Sequence, residues 1–186
     1  MHDHHLANRT RRRLLAGLGA LPLLLGGRFA HARPGEPRAL DFVHTHTDEK
    51  LSVVYFHNGD YLPDALSAVE NLLRDFRTGE RHPIDVALLD ILHELRSAHG
   101  GGSFEIISAY RSPITNATLA GKSTGVARNS LHMQGRAIDV RLAGRNTGSL
   151  RDAAVALARG GVGYYPESDF VHLDTGRVRR WGAQKS

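Results

Sequence analysis

Three side chains in the second half of the chain have the type and setting of a metal site: His132, Asp139 and His172. His132 closes a polar stretch, and Asp139 follows in Gly135-Arg136-Ala137-Ile138-Asp139-Val140. In a strand, Asp139 points away from the face that Ile138 and Val140 share. Burying a carboxylate in such a run costs free energy unless it is paired or bound to a metal. His172 interrupts a second apolar run, Phe170-Val171-His172-Leu173. Two imidazoles and one carboxylate make the three protein ligands of a catalytic zinc site, with a fourth position open for water. The metal would lower the pKa of that water and polarise a peptide carbonyl. His132 alone would be a hydrogen-bonded structural histidine; its company with Asp139 and His172 points to a ligand.

Other groups cluster around this trio in sequence. Asp174 falls two residues after His172, on the same strand face. It is a candidate for moving a proton or for orienting a ligand histidine. Ser130 and Gln134 flank His132 and are candidates for lining a substrate site. Tyr164 and Tyr165 offer either a substrate contact or a packed ring with a bonded hydroxyl. The remaining histidines carry less. His44 and His46 share one face of a strand but have no third ligand near in sequence, so they read as a solvated face. His82 and His93 read as structural or exposed, and His2, His4 and His5 as solvated terminus. The only lysines are Lys50, Lys122 and Lys185, and none follows a serine by three, so no Ser-x-x-Lys nucleophile is present. The absence of cysteine excludes disulfides, thiolate ligands and a thiol nucleophile.

The elements that must hold these groups are legible in outline. Residues 41–47 and 51–57 alternate with β-branched residues and flank Asp48-Glu49-Lys50, which predicts a hairpin ended by Asn58-Gly59-Asp60. Leu66, Val69, Leu72, Leu73 and Phe76 recur at helical steps, predicting a helix over 63–77 stopped by Gly79. His82-Pro83 opens a second helix with Val86, Leu89, Ile91, Leu92 and Leu95 inward, closed by Gly100-Gly101-Gly102. Phe104 to Tyr110 reads as a buried strand. Residues 111–134 are rich in Ser, Thr, Asn and Gly and read as one long loop, a feature that is usually functional or disordered. Arg136 to Leu142 is a strand, Ser149 to Arg159 a helix, and 162–165 and 170–174 short strands. Strands and helices mix without regular βαβ alternation, which gives an α+β class.

The chain has 186 residues, enough for one domain plus a processed segment. Its net charge of +5 first invites a nucleic-acid partner. Yet residues 1–32 hold five arginines and one acid, leaving 19 basic against 18 acidic residues in the rest. The body has no excess for a polyphosphate, and no nucleic acid is expected. That N-terminal stretch runs from a basic segment (Arg9 to Arg13) through an apolar one (Leu14 to Gly27) to Ala30-His31-Ala32, the layout of an export signal. Thr10-Arg11-Arg12-Arg13-Leu14-Leu15 resembles the twin-arginine motif. The expected organisation is a twin-arginine-type signal at 1–32, a Pro/Gly/Arg-rich linker at 33–40, and one folded domain at 41–186 that carries the candidate zinc site. The twin-arginine machinery is the expected export partner and the periplasm the expected location. No stable membrane span is expected after processing.

Ser130-x-His132-x-x-Gly135-x-Ala137-x-Asp139, with Phe170-Val171-His172-Leu173-Asp174-Thr175-Gly176, resembles the M15-type zinc peptidases, whose fold is that of the hedgehog and D-Ala-D-Ala peptidases. Ser108-Ala109-Tyr110-Arg111-Ser112, Gly163-Tyr164-Tyr165-Pro166 and Trp181 make the resemblance narrower, to the exported murein endopeptidases of the YcbK/MepK-like branch. It covers essentially the whole chain. It implies an antiparallel sheet flanked by helices, a Zn2+ ion on His132, Asp139 and His172, and peptidoglycan stem peptides as substrate, with a link between two diaminopimelate residues as the favoured bond. It implies a general base three residues before the second zinc histidine; here that is Asp169 rather than Glu, with Asp174 as the competing base. It implies that Arg111 stabilises an oxyanion or binds a substrate carboxylate, for which a guanidinium fork is suited. Three readings stay open: a zinc endopeptidase, a zinc D,D- or L,D-carboxypeptidase, and a catalytically weak cell-wall-binding module.

Overall fold

A computed structural model describes residues 36–123 and 125–183. The expected signal and most of the expected linker therefore lie outside the described residues. No helix among the described residues is long and apolar enough to cross a membrane.

The chain runs β1 (Arg38–His44), β2 (Lys50–His57), β3 (Asp60–Tyr61), α1 (Pro63–Leu72), α2 (Val86–Ala98), β4 (Phe104–Ser108), α3 (Pro113–Lys122), a short 3-10 helix (Leu131–Gln134), β5 (Ala137–Leu142), α4 (Thr147–Leu157), β6 (Gly161–Tyr165), β7 (Phe170–Asp174) and β8 (Arg179–Gly182). All eight strands form one sheet in the order β3-β2-β1-β4-β5-β7-β6-β8. Neighbours are antiparallel except at β1–β4 and β6–β8. This is the α+β class that the mix of elements predicts, with the mainly antiparallel sheet that the resemblance implies.

Helices α1, α2 and α4 pack against the sheet. Strand alternation sends Leu40, Phe42, Phe104, Ile106, Ile138, Val140, Val171 and Leu173 into the core they share. Leu89, Leu92 and Leu95 of α2 and Leu150 of α4 are fully buried against it. Asp139 and His172, out of phase with those residues, are turned to the opposite face.

Several boundaries differ from the sequence-based expectation, each for a local reason. β1 begins at Arg38, inside the stretch read as linker, because Arg38 pairs with Asp90 of α2 at 2.7 Å and its guanidinium lies over Phe56. α1 stops at Leu72 rather than Arg77, because Asp75 folds the chain back: its carboxylate accepts from the Arg77 N–H and its own N–H donates to Glu80. α2 starts after Pro83, capped by Asp85, which accepts from the Ala87 N–H at 3.0 Å. The polar stretch 111–134 is not one loop. It contains α3, capped by Ser112, and its buried residues are the polar Thr115 and Asn116, so no apolar period betrays it. β3 and β8 are two further strands that the sequence reading did not include.

Candidate metal centre

The site lies on one row of the sheet. Ser108 pairs with Asp139, Asp139 with His172, His172 with Gly163, and Gly163 with Trp181. Backbone hydrogen bonds across five strands thus fix these residues at one height. His132 reaches the row from the 3-10 helix, whose cap Ser130 accepts from the His132 N–H at 3.3 Å. Gly135 ends that helix at φ 63°, and a Cβ there would lie 2.0 Å from the Pro83 carbonyl oxygen. The glycine of the His-x-x-Gly pattern is therefore required both by its conformation and by close approach.

The structure brings together His132, Asp139 and His172, with one ligand atom from each within 4.8 Å of the others. His172 Nδ1 is 2.8 Å from Asp139 Oδ1, and His132 Nε2 is 3.3 Å from the same oxygen. The other ring nitrogens are engaged. His132 Nδ1 donates to the Ala109 carbonyl at 2.6 Å, which leaves Nε2 with its lone pair toward the cluster. His172 Nε2 donates to Asp174 Oδ2 at 3.0 Å. Two imidazoles with their second nitrogens fixed and one carboxylate are a donor set that fits a zinc-like ion.

The charges are arranged to the same end. Burial alone would raise the Asp139 pKa, but His132 and His172 hold it well below the usual carboxylate range. Arg111 adds to this, its Nη2–H donating to Asp139 Oδ2 at 2.6 Å and its Nε–H to Ser108 Oγ at 2.8 Å. Burial lowers the pKa of both His132 and Arg111. For His172 burial also acts downward, but its bonds to Asp139 and Asp174 prevail and raise it.

A cleft of about 430 Å³ opens over this cluster. Arg111, Ser130 and Asp174 line it, together with Tyr165, Phe170, Arg179 and Trp181. The segment Val126 to Leu131 supplies another wall, tied back by Asn116, whose side-chain amide donates to the Ala127 and Arg128 carbonyls.

Not all of the expected site residues reach the cluster. Asp169 is not brought to the cluster. It sits between β6 and β7 at φ 50°, exposed, with its carboxylate accepting from Thr147 Oγ1 at 3.1 Å and pairing with Arg141, and it does not line the cleft. Asp174 is beside the cluster but fully committed. With no exposed side-chain surface, it takes His172 Nε2–H, both Arg179 Nη groups and the Gly161 and Gly176 N–H groups. Its geometry is that of a partner orienting His172. Gln134 is exposed and outside the cleft. Tyr164 points to the helical side, where the Arg151 guanidinium stands 4.6 Å over its ring. Its neighbour Tyr165 lines the cleft instead. Strand period gives the signal that was missed: Gly163 and Tyr165 share a face, and Val162 and Tyr164 the other. His44 is buried rather than solvated, stacked edge-on to Phe76, and has no part in the metal cluster.

A mainly antiparallel sheet with a His–Asp–His cluster on its open face suits a metal-dependent hydrolase. Residues 32–181 match the peptidase M15 family described as peptidoglycan L,D-endopeptidase MepK, and the chain belongs to that family. It is 38% identical over 177 residues to the peptidoglycan L,D-endopeptidase MepK of Escherichia coli K12, covering 92% of this chain and 97% of that one. It is 40% identical over 148 residues to the probable peptidoglycan L,D-endopeptidase MepK of Haemophilus influenzae, covering 78% of this chain and 80% of the other. The family is metal-dependent, and among the described residues the cluster above is a group that could hold an ion.

Proposed function

We propose that this chain is an exported, zinc-dependent murein endopeptidase that hydrolyses an amide in cross-linked peptidoglycan stem peptides, with a diaminopimelate–diaminopimelate link as the favoured bond. The observation that carries the reading is the convergence of His132 Nε2, Asp139 Oδ1 and His172 Nδ1 beneath an open cleft, in a chain of this family. Zinc, when bound, supplies a Lewis acid and makes a coordinated water acidic near neutral pH.

The chain's own residues provide the rest. The Ala109 carbonyl and Asp174 each take one ring N–H, which orients the other nitrogen of each ring toward the cluster. Arg111 holds the second oxygen of Asp139 and borders the cleft, where its remaining N–H groups can bind a stem-peptide carboxylate or stabilise an oxyanion. Ser130 contributes to both the His132 cap and the cleft wall. Asp169 is given no part in the chemistry.

The test uses wild-type chain and His172→Ala. Bound zinc is measured, then each protein is incubated with purified cross-linked muropeptides and the products are read by mass. The reading expects about one zinc per chain and split dimers for wild type, and loss of both in the variant. Release of single terminal residues without splitting would instead identify a carboxypeptidase. The cell-wall-binding reading is favoured by one observation, the position of Asp169 outside the cleft; zinc binding without any cleavage would establish it. Export through the twin-arginine route and a periplasmic site of action complete the proposal and rest on residues 1–32.

A further inference from the structure

Asp169 lies away from the cleft, Asp174 is locked, and two N–H groups of Arg111 are directed to Ser108 and Asp139, which leaves room for a further donor to the substrate's reacting atoms. Tyr165 has the required setting. It stands on the same face of β6 as Gly163 and lines the cleft with His132, His172 and Arg111. Its ring stacks on Phe170 with centroids 4.7 Å apart, and its hydroxyl oxygen accepts from Trp181 Nε1–H at 2.8 Å. Among the described residues no acceptor takes the Tyr165 O–H. Trp181 is itself fixed, with its ring over Gly163, where a Cβ would lie 2.7 Å from Cε2, and 5.0 Å from the His172 ring.

We propose that Tyr165 is a catalytic residue: its O–H, aimed by the Trp181 indole N–H, donates a hydrogen bond to the carbonyl oxygen of the scissile amide. The inference rests on the peptidase reading above. The chemistry selects the atom. A hydroxyl whose lone pair already takes an N–H has its own hydrogen to give, and a peptide bond presents one acceptor, its carbonyl oxygen. That oxygen gains negative charge when the carbonyl carbon becomes tetrahedral, so the bond strengthens in the transition state. No proton changes hands, and amide plus water gives carboxylate plus amine with Tyr165 unchanged. The indole N–H makes the phenol a better donor by polarising it. Arg111 on the β4 side and Tyr165 on the β6 side then flank the His–Asp–His cluster. Arg111 positions Asp139, and Tyr165 adds its own donor to the scissile carbonyl.

The test compares wild type, Tyr165→Phe and Trp181→Phe on cross-linked muropeptide dimers, with kcat and KM separated and bound zinc and thermal midpoint measured alongside. Tyr165→Phe keeps the stacked ring and removes only the hydroxyl. It is expected to lower kcat by about 10²-fold with KM within about twofold and zinc content unchanged, the size of effect of losing one oxyanion donor. Trp181→Phe, which lacks the N–H but keeps an aromatic ring, is expected to lower kcat by a smaller factor, about tenfold. A Tyr165→Phe variant with wild-type kcat overturns the assignment, as does one that changes KM alone. If Tyr165→Phe loses zinc, the hydroxyl serves the metal cluster and the proposal is wrong. A wild-type chain that binds zinc and cuts no dimer overturns the peptidase reading first and this assignment with it.

Discussion

His172 is gripped from both ring nitrogens, by Asp139 at 2.8 Å and by Asp174 at 3.0 Å. Only one of these contacts can become a metal bond while the other remains a hydrogen bond, and the arrangement assigns Nδ1 to the ion and Nε2–H to Asp174. Asp174 is in turn tied by Arg179 and two backbone N–H groups, so the imidazole is oriented by a group that cannot swing away. Asp174→Asn is expected to weaken zinc affinity by about 10- to 100-fold, the usual effect of losing a ligand's hydrogen-bond partner. Titration with a competing chelator measures it, and unchanged affinity would mean that Asp174 is not an orienting group. Gly163 matters for a different reason. A Cβ there would meet the Trp181 ring at 2.7 Å, so Gly163→Ala must displace the indole. It is expected to cost about 1–3 kcal/mol of stability and to lower activity through the lost Trp181–Tyr165 bond. A denaturation midpoint and a rate on the same sample check both parts.

At the scale of elements, the turn after α1 and the start of α3 act as one unit. Asp75, fully buried, accepts from the Ser112 N–H at 2.9 Å and the Ser112 hydroxyl at 2.6 Å, and so secures the residue next to Arg111. Burial alone would raise the Asp75 pKa, but these bonds bring it down to about 2 from an ordinary 3.8. Because the folded value is the lower one, this contribution is complete above the ordinary value and is lost as the pH falls from there toward 2. It amounts to about 2 kcal/mol. Asp75→Asn should flatten that part of the acid unfolding curve, and a curve with the wild-type slope would contradict the assignment. Elements with an apolar period were legible in the sequence: the β1–β2 hairpin, α2, β5 and β7 were all anticipated. α3 was not, because its inward residues, Thr115 and Asn116, bury polar groups and satisfy them by hydrogen bonds rather than by packing. The candidate metal ligands stood out because each is a polar residue in an apolar strand or at the end of a polar run. The place of Asp169 did not, because sequence spacing says nothing about which way a turn at φ 50° throws its side chain. Tyr164 and Tyr165 could have been told apart by strand alternation alone.

For the whole molecule, α1, α2 and α4 pack on one face of the sheet, and the cluster and its cleft occupy the other. Stability and chemistry are thus carried by opposite sides of the same strands. The charge is divided too, with the basic excess confined to the N-terminal stretch and the remainder near balance at 19 basic and 18 acidic residues. Replacing both Arg11 and Arg12 by Lys is expected to hold the full-length precursor inside the cell, as read by fractionation and chain size. Processed chain in the periplasmic fraction would contradict the twin-arginine route. The bond from His132 to the Ala109 carbonyl has a consequence for how the three donors depend on one another. That ring is fastened by the Ala109 carbonyl, Asp139 by Arg111, and His172 by Asp174. Two of the three braces thus come from residues 109–111, so a small shift of that one segment displaces His132 and Asp139 together, while His172 stays tied within its own strand.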